Sequence, residues 1–239
     1  MGSNPTPSAN KQRYKGDYMF NTQERRQERL SQKISDTMSE RQYNFIIGGC
    51  LIYGFILNAL MVATCSNFFM EMNPWVFLIG YFVLAFTGIG LTCLDSPLIS
   101  FIGYNLVVVP LGAVLSICLP QFDADVIFMA IIATGLVVLI MTSLATMFPH
   151  VFAGLGRTLF IALVVSLIGE LLTLLLFDYT GTFFDWIFVV IFSLYIGYDW
   201  HRAQSFPKTL NNAIDSACDL YIDIINLFIR ILQILGSRD

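Results

Sequence analysis

Charge is scarce in this chain. Of 239 residues only 13% are Asp, Glu, Lys or Arg, about half the share of an ordinary soluble domain. Apolar residues make up 56%, and the mean hydropathy is +0.69. A soluble globular domain is therefore excluded, and an integral membrane protein is indicated. Histidine is almost missing, with His150 and His201 alone, which rules out a histidine-rich metal centre. The five cysteines, Cys50, Cys65, Cys93, Cys118 and Cys218, stand singly with no CxxC or metal-ligand spacing. They read as small apolar residues, and no cofactor is expected. No basic run long enough to grip nucleic acid appears in the apolar part, and the net charge of −4 names no partner. A secretory signal is not expected either, because the first apolar run begins after 42 residues and lacks a small-residue cleavage site.

What is present is a series of seven apolar segments, at 43–64, 74–94, 97–119, 126–147, 157–177, 183–205 and 216–236. Each is long enough to cross a bilayer as a helix. Little more than Asp95 and Ser96 separates the second from the third, which predicts a tight antiparallel hairpin. Residues 1–42 form a cytoplasmic tail, polar at first, with a charged amphipathic helix over 21–41 on the spacing of Leu30, Ile34 and Met38. Residues 43–236 form one membrane domain and 237–239 a short tail.

Basic residues set the orientation. The N-terminal tail holds eight Lys or Arg, and the connections after the fourth and sixth segments hold Arg157, Arg202 and Lys208. The connections after the first, third and fifth segments, with their edges, hold no Lys or Arg but do hold Glu71, Asp123, Asp125, Asp178 and Asp185. The N-terminus is thus expected in the cytoplasm and the C-terminus outside.

The seventh segment, SACDLYIDIINLFIRILQILG, carries Asp219, Asp223, Asn226, Arg230 and Gln233 at steps of four, three, four and three. That spacing puts all five on one helical face. Ionisable residues in a span are costly and turn to a bundle interior or a watery cavity. The expectation is an all-α integral membrane protein of seven transmembrane helices, with the seventh central and bearing a polar seam.

Two constellations stand out. Asp199 lies six residues before the end of the sixth segment and Asp223 seven residues into the seventh, roughly 9 and 10 Å from the same side. Two carboxylates about 4 Å apart at an effective dielectric of about 20 repel by roughly 4 kcal/mol, so they would share a proton. Alternatively, each merely bonds a neighbouring helix. Glu170 and Arg230 lie at one level farther out, roughly 20 and 21 Å from the cytoplasmic side, and are expected to pair. The alternative there is a snorkelling Arg230 with a neutral Glu170.

The stretches FAGLGRTLFIALVVSLIG, SLYIGYDWHRAQ and LYIDIINLFIRILQILG resemble the Bax inhibitor-1 family of transmembrane proteins, in its prokaryotic branch. The tyrosine–aspartate pair Tyr198–Asp199 and the LY-x-D-x-x-NLF element match in type and separation. The resemblance implies seven helices with the last wrapped by six, and a pH-sensitive leak of Ca²⁺ or other cations. The family's roles pass to Asp199 and Asp223 only, as the proton-sharing gate that would hold Ca²⁺ transiently; Asp219, Asn226, Glu170 and Arg230 are expected as pathway or pairing residues from their own spacing, and Glu170 and Arg230 stand where the family has uncharged residues. It also places a prokaryotic member in the plasma membrane. Its partners would be the lipid bilayer, Ca²⁺ and protons, with no enzymatic activity. The chain departs from the family pattern where basic residues usually end the second helix, since LTCLDS offers Asp95, and where Gln233 replaces an arginine. A second reading is an interaction protein that regulates a membrane protease or a cell-death or stress pathway through its tail. A third is an intramembrane aspartyl protease, weakened because Asp223 sits in LYID without flanking glycine.

Overall fold

The structure is a computed structural model, and it describes residues 37–177 and 182–237. The residues 1–36 that carry most of the tail, and Asp178, lie outside the described residues. Among the described residues there are helices and turns but no strand.

Among the described residues seven long helices follow one another: α1 (Glu40–Met70), α2 (Pro74–Thr92), α3 (Pro97–Cys118), α4 (Ala124–Met147), α5 (Gly156–Phe177), α6 (Thr182–Ser205) and α7 (Leu210–Gly236). A 3₁₀ turn, Leu119–Gln121, follows α3, and a single helical turn, Pro149–Phe152, precedes α5. Local signals start these helices where the apolar runs begin. Ser39 and Gln42 form a reciprocal capping box at α1. Asn73 accepts from the Trp75 amide ahead of α2, and Pro74 and Pro97 occupy the first turns of α2 and α3. Inside the helices, hydroxyls that would be orphaned in lipid bond back to a carbonyl four residues earlier. Thr64, Ser116, Thr134, Thr173 and Ser193 all do so.

Two helices depart from their expected bounds. α1 continues to Met70, six residues past 64, because nothing in CSNFFM breaks a helix. α7 begins at Leu210, six residues before 216. Its polar first turns hold because side chains supply the bonds: Thr209 caps the Asn212 amide at 3.3 Å, and Asn211 donates to Asp215 at 3.0 Å.

α7 is the most thoroughly covered helix. It packs against α1, α3, α4 and α6, and touches α2 more lightly. Its Ala213, Ala217, Leu220, Tyr221, Leu227 and Leu232 are buried with Tyr104, Val108, Phe188 and Ile196 in one apolar core. The peripheral helices face outward, with Phe82, Phe86, Ile131, Leu139, Val165 and Leu175 exposed. Apolar surface on that scale belongs against lipid rather than water. α1 through α6 are each long and apolar enough to cross a membrane. α7 is not among them, since Asp219, Asp223 and Arg230 interrupt its apolar run. The chain is a multi-pass integral membrane protein.

The α2–α3 hairpin is as tight as expected, and glycine makes it so. A methyl group on Gly103 would sit 2.6 Å from the Gly88 carbonyl oxygen and 2.9 Å from the Thr92 nitrogen. Both obstacles are backbone, so the helices themselves would have to move apart. Gly103→Ala should therefore destabilise the protein by about 1–3 kcal/mol. Gly80→Ala, which meets nothing within 4 Å, should be neutral in the same detergent melting experiment. Equal melting temperatures for both variants would refute the close-packing account.

Candidate functional site

The sixth and seventh helices bring Asp199 and Asp223 together. Asp199 is 8% exposed and Asp223 6%, and their carboxyl groups lie within hydrogen-bonding reach of each other. Because α7 starts early, Asp223 is thirteen residues into its helix, not seven. α7 thus begins farther from the dyad than α6 ends, and the two carboxylates still meet. Asp223 Oδ2 is buried and receives a hydrogen bond from no donor among the described residues. An acceptor left so costs roughly 1–3 kcal/mol.

Arg202 supplies the basic partner absent from the end of α2. It lies one helical turn beyond Asp199, with Nη1 3.6 Å from Asp199 Oδ1 and 3.3 Å from Asp219 Oδ2. Its guanidinium is half exposed and lies over the Phe206 ring at 5.3 Å. The sequence reading used Arg202 only as an orientation marker. The signal was available, because residues three apart on a helix face the same way. Tyr195, one turn before Asp199, brings a phenol close to both carboxylates.

Below the dyad the helix ends are tied together by Tyr43 and Lys208. Tyr43, fully buried, donates toward the Asn212 carbonyl at 3.1 Å and meets the Ser216 hydroxyl at 3.1 Å. Lys208, in the connection between α6 and α7, donates to the Gln204 carbonyl at 2.8 Å and stacks on Tyr43 at 4.6 Å. Partial burial lowers the pKa of this ammonium, and the charge of Glu40 opposes the shift.

Farther along α7 the structure places Glu170 and Arg230 in contact, with two parallel bonds of 2.6 and 2.9 Å. A third group, missed from sequence, joins them. Asp185, near the start of α6, accepts from Arg230 at 2.8 Å. The guanidinium also lies 4.1 Å from the centroid of the fully buried Phe188 ring. Asp185 was read as an edge charge only. Its position three residues into α6 sets it at a depth Arg230 can reach.

The rest of the seam is less engaged. Asn226 donates to the Ile222 carbonyl of its own helix at 2.8 Å. Gln233 buries an oxygen that meets no donor. On another face, Asn58 of α1 bonds the Tyr221 hydroxyl, a polar contact between α1 and α7 that the sequence reading did not single out. Among the described residues, no group of three or more His, Cys, Asp or Glu side chains is arranged to hold a metal ion.

An all-helical bundle with a buried aspartate pair between its last two helices defines a class of small multi-pass membrane proteins. The comparisons narrow it. Residues 36–239 match the family model described as "Inhibitor of apoptosis-promoting Bax1". Two uncharacterized proteins from Helicobacter pylori strains are each 31% identical over 199 residues, covering 77% of this chain and 84% of theirs. A Schizosaccharomyces pombe protein named "Bax inhibitor 1" is 31% identical over 177 residues, covering 71% of this chain and 65% of its own. The chain belongs to the Bax inhibitor-1 family.

Proposed function

We propose that this protein is a pH-sensitive cation leak that conducts Ca²⁺, with α7 as a seventh, central span. The polar seam of α7 is the path, and the proton shared by Asp199 and Asp223 is the switch. The observation that carries this reading is the dyad itself. Two carboxylates from different helices face each other in a buried site, and one of their oxygens has no donor. With the proton in place the two helices are held together. With it gone, two like charges push α6 and α7 apart and offer hard oxygen ligands to a passing cation.

The test is reconstitution in liposomes, with Ca²⁺, Na⁺ and K⁺ flux followed across a pH series. Flux should rise above that of empty liposomes and change between about pH 5 and 8, a range open to a carboxylate in such a pair. No flux at any pH would overturn the reading.

The orientation belongs to the same proposal, with the N-terminus cytoplasmic, the C-terminus outside and, in a prokaryotic cell, the plasma membrane as the site. In a cysteine-free background, a probe at D123C should be labelled only from outside and one at K208C only from inside. The reverse pattern at both sites would invert the assignment.

A further inference from the structure

The start of α1 grips both sides of the turn that joins the two dyad helices. Only residues 206–209 separate the end of α6 at Ser205 from the start of α7 at Leu210. That turn is the hinge about which α6 and α7 would part. On the α6 side, Gln204 donates to Asn44 Oδ1 at 2.8 Å. On the α7 side, the fully buried Tyr43 donates to the Asn212 carbonyl, and its oxygen lies 3.1 Å from the Ser216 hydroxyl. On the turn itself, the Met38 amide donates to the Lys208 carbonyl at 2.8 Å. This last bond joins two backbones far apart in the chain and belongs to no helix.

Lys208 completes the grip. Its ammonium closes the last turn of α6 through the Ala203 and Gln204 carbonyls and lies over the Tyr43 ring. One residue thus caps α6, hooks Met38 and rests on α1. The helical turn that presents these groups is itself fixed by the Ser39–Gln42 capping box. α1 packs along α3 and α7, so its bond to the end of α6 is not a by-product of two helices lying side by side. A hold on both arms of a hinge sets the angle between them. We infer that residues 38–44 are an autoinhibitory clasp, which fixes the angle between α6 and α7 and so restrains the Asp199–Asp223 gate. The inference rests on the reading of that dyad as the switch. Coupling of this kind is reciprocal: if the clasp restrains the dyad, ionisation of the dyad must loosen the clasp. The charged groups facing the clasp are Lys208 on the turn, Glu40 on α1 and Asp215 on α7.

Hydrogen–deuterium exchange of the full chain in detergent, corrected for the intrinsic effect of pH, reads the clasp, and liposome flux reads the gate. In the wild type, exchange across residues 204–216 should rise severalfold from pH 5 to 8. In the Asp199→Asn, Asp223→Asn double variant it should stay flat. Tyr43→Phe keeps the ring under Lys208 and loses the hydroxyl. At fixed pH it should speed exchange and raise flux by about fivefold, the weight of one net hydrogen bond. Phe45→Ala, a neighbour that is 81% exposed, should change neither. Should Tyr43→Phe melt low, Asn44→Ala, at a half-buried position, decides in its place. Wild-type exchange in both Tyr43→Phe and Asn44→Ala would overturn the clasp. So would an equal pH response in the double aspartate variant, or faster exchange in Tyr43→Phe with wild-type flux. A wild type that conducts nothing would sink the conduction reading alone, because the exchange arms need no flux and still decide the coupling.

Discussion

Arg230→Leu should be the most damaging single substitution in the outer half of the bundle. It leaves Glu170 and Asp185, both held within 2.9 Å of the guanidinium, facing each other without a counter-charge. Removing one side of a buried ion pair costs about 3–5 kcal/mol, because the surviving charge stays behind. Here two like charges survive. Glu170→Gln is milder, since Arg230 keeps Asp185 and the Phe188 ring. Asp185→Asn is milder for the same reason, because the two bonds to Glu170 remain. The ordering is distinctive: the arginine variant falls furthest, and Glu170→Gln, Asp185→Asn, Arg230→Leu combined regains much of the loss. A pair alone would give equal losses on both sides, so the asymmetry reports the third member. The measurement is melting temperature in detergent. Strictly additive losses across the series would show that the three groups do not act together.

The cluster has a second consequence. α5 packs chiefly against α6, and its outward face of Phe160, Val165, Ile168 and Leu175 is exposed. Glu170 is its polar tie to α7. The charges in this part of the seam thus fasten α5 to α7.

The elements that could be read from the chain were those whose signal is local. Runs of twenty apolar residues between acidic or proline-bearing breaks marked all seven helices, and Ser96–Pro97 marked the α2–α3 turn. The dyad was legible because Tyr198–Asp199 and LYIDIINLF are compact motifs. The start of α7 was not. Asn211, Asn212 and Asp215 look like loop residues until they are seen to bond one another and Pro207. Hydropathy registers their polarity and not its satisfaction. Arg202 and Asp185 were misjudged for a related reason. Each sits at a helix end, where charge normally means solvent, and only tertiary packing reveals that it meets a charged partner on α7.

The pH response of flux should move in opposite directions when the dyad and its arginine are altered. In the wild type each carboxylate raises the cost of ionising the other, by roughly 4 kcal/mol at 4 Å and an effective dielectric of about 20. Asp199→Asn or Asp223→Asn removes that repulsion. The surviving carboxyl then gives up its proton at lower pH, and the response between pH 5 and 8 flattens. Arg202 acts the other way. Its cation, 3.6 Å from Asp199 and 3.3 Å from Asp219, favours the ionised dyad. Arg202→Gln should therefore let the proton persist to higher pH and shift the midpoint of flux upward. The shift should be about one unit or less, because the guanidinium is 45% exposed and its field is screened. Liposome flux across pH for the three variants checks both signs. Wild-type profiles in both aspartate variants would remove the dyad as the switch. A downward shift in Arg202→Gln would mean that the arginine holds the closed state by bridging Asp199 to Asp219 rather than by its charge on the shared proton.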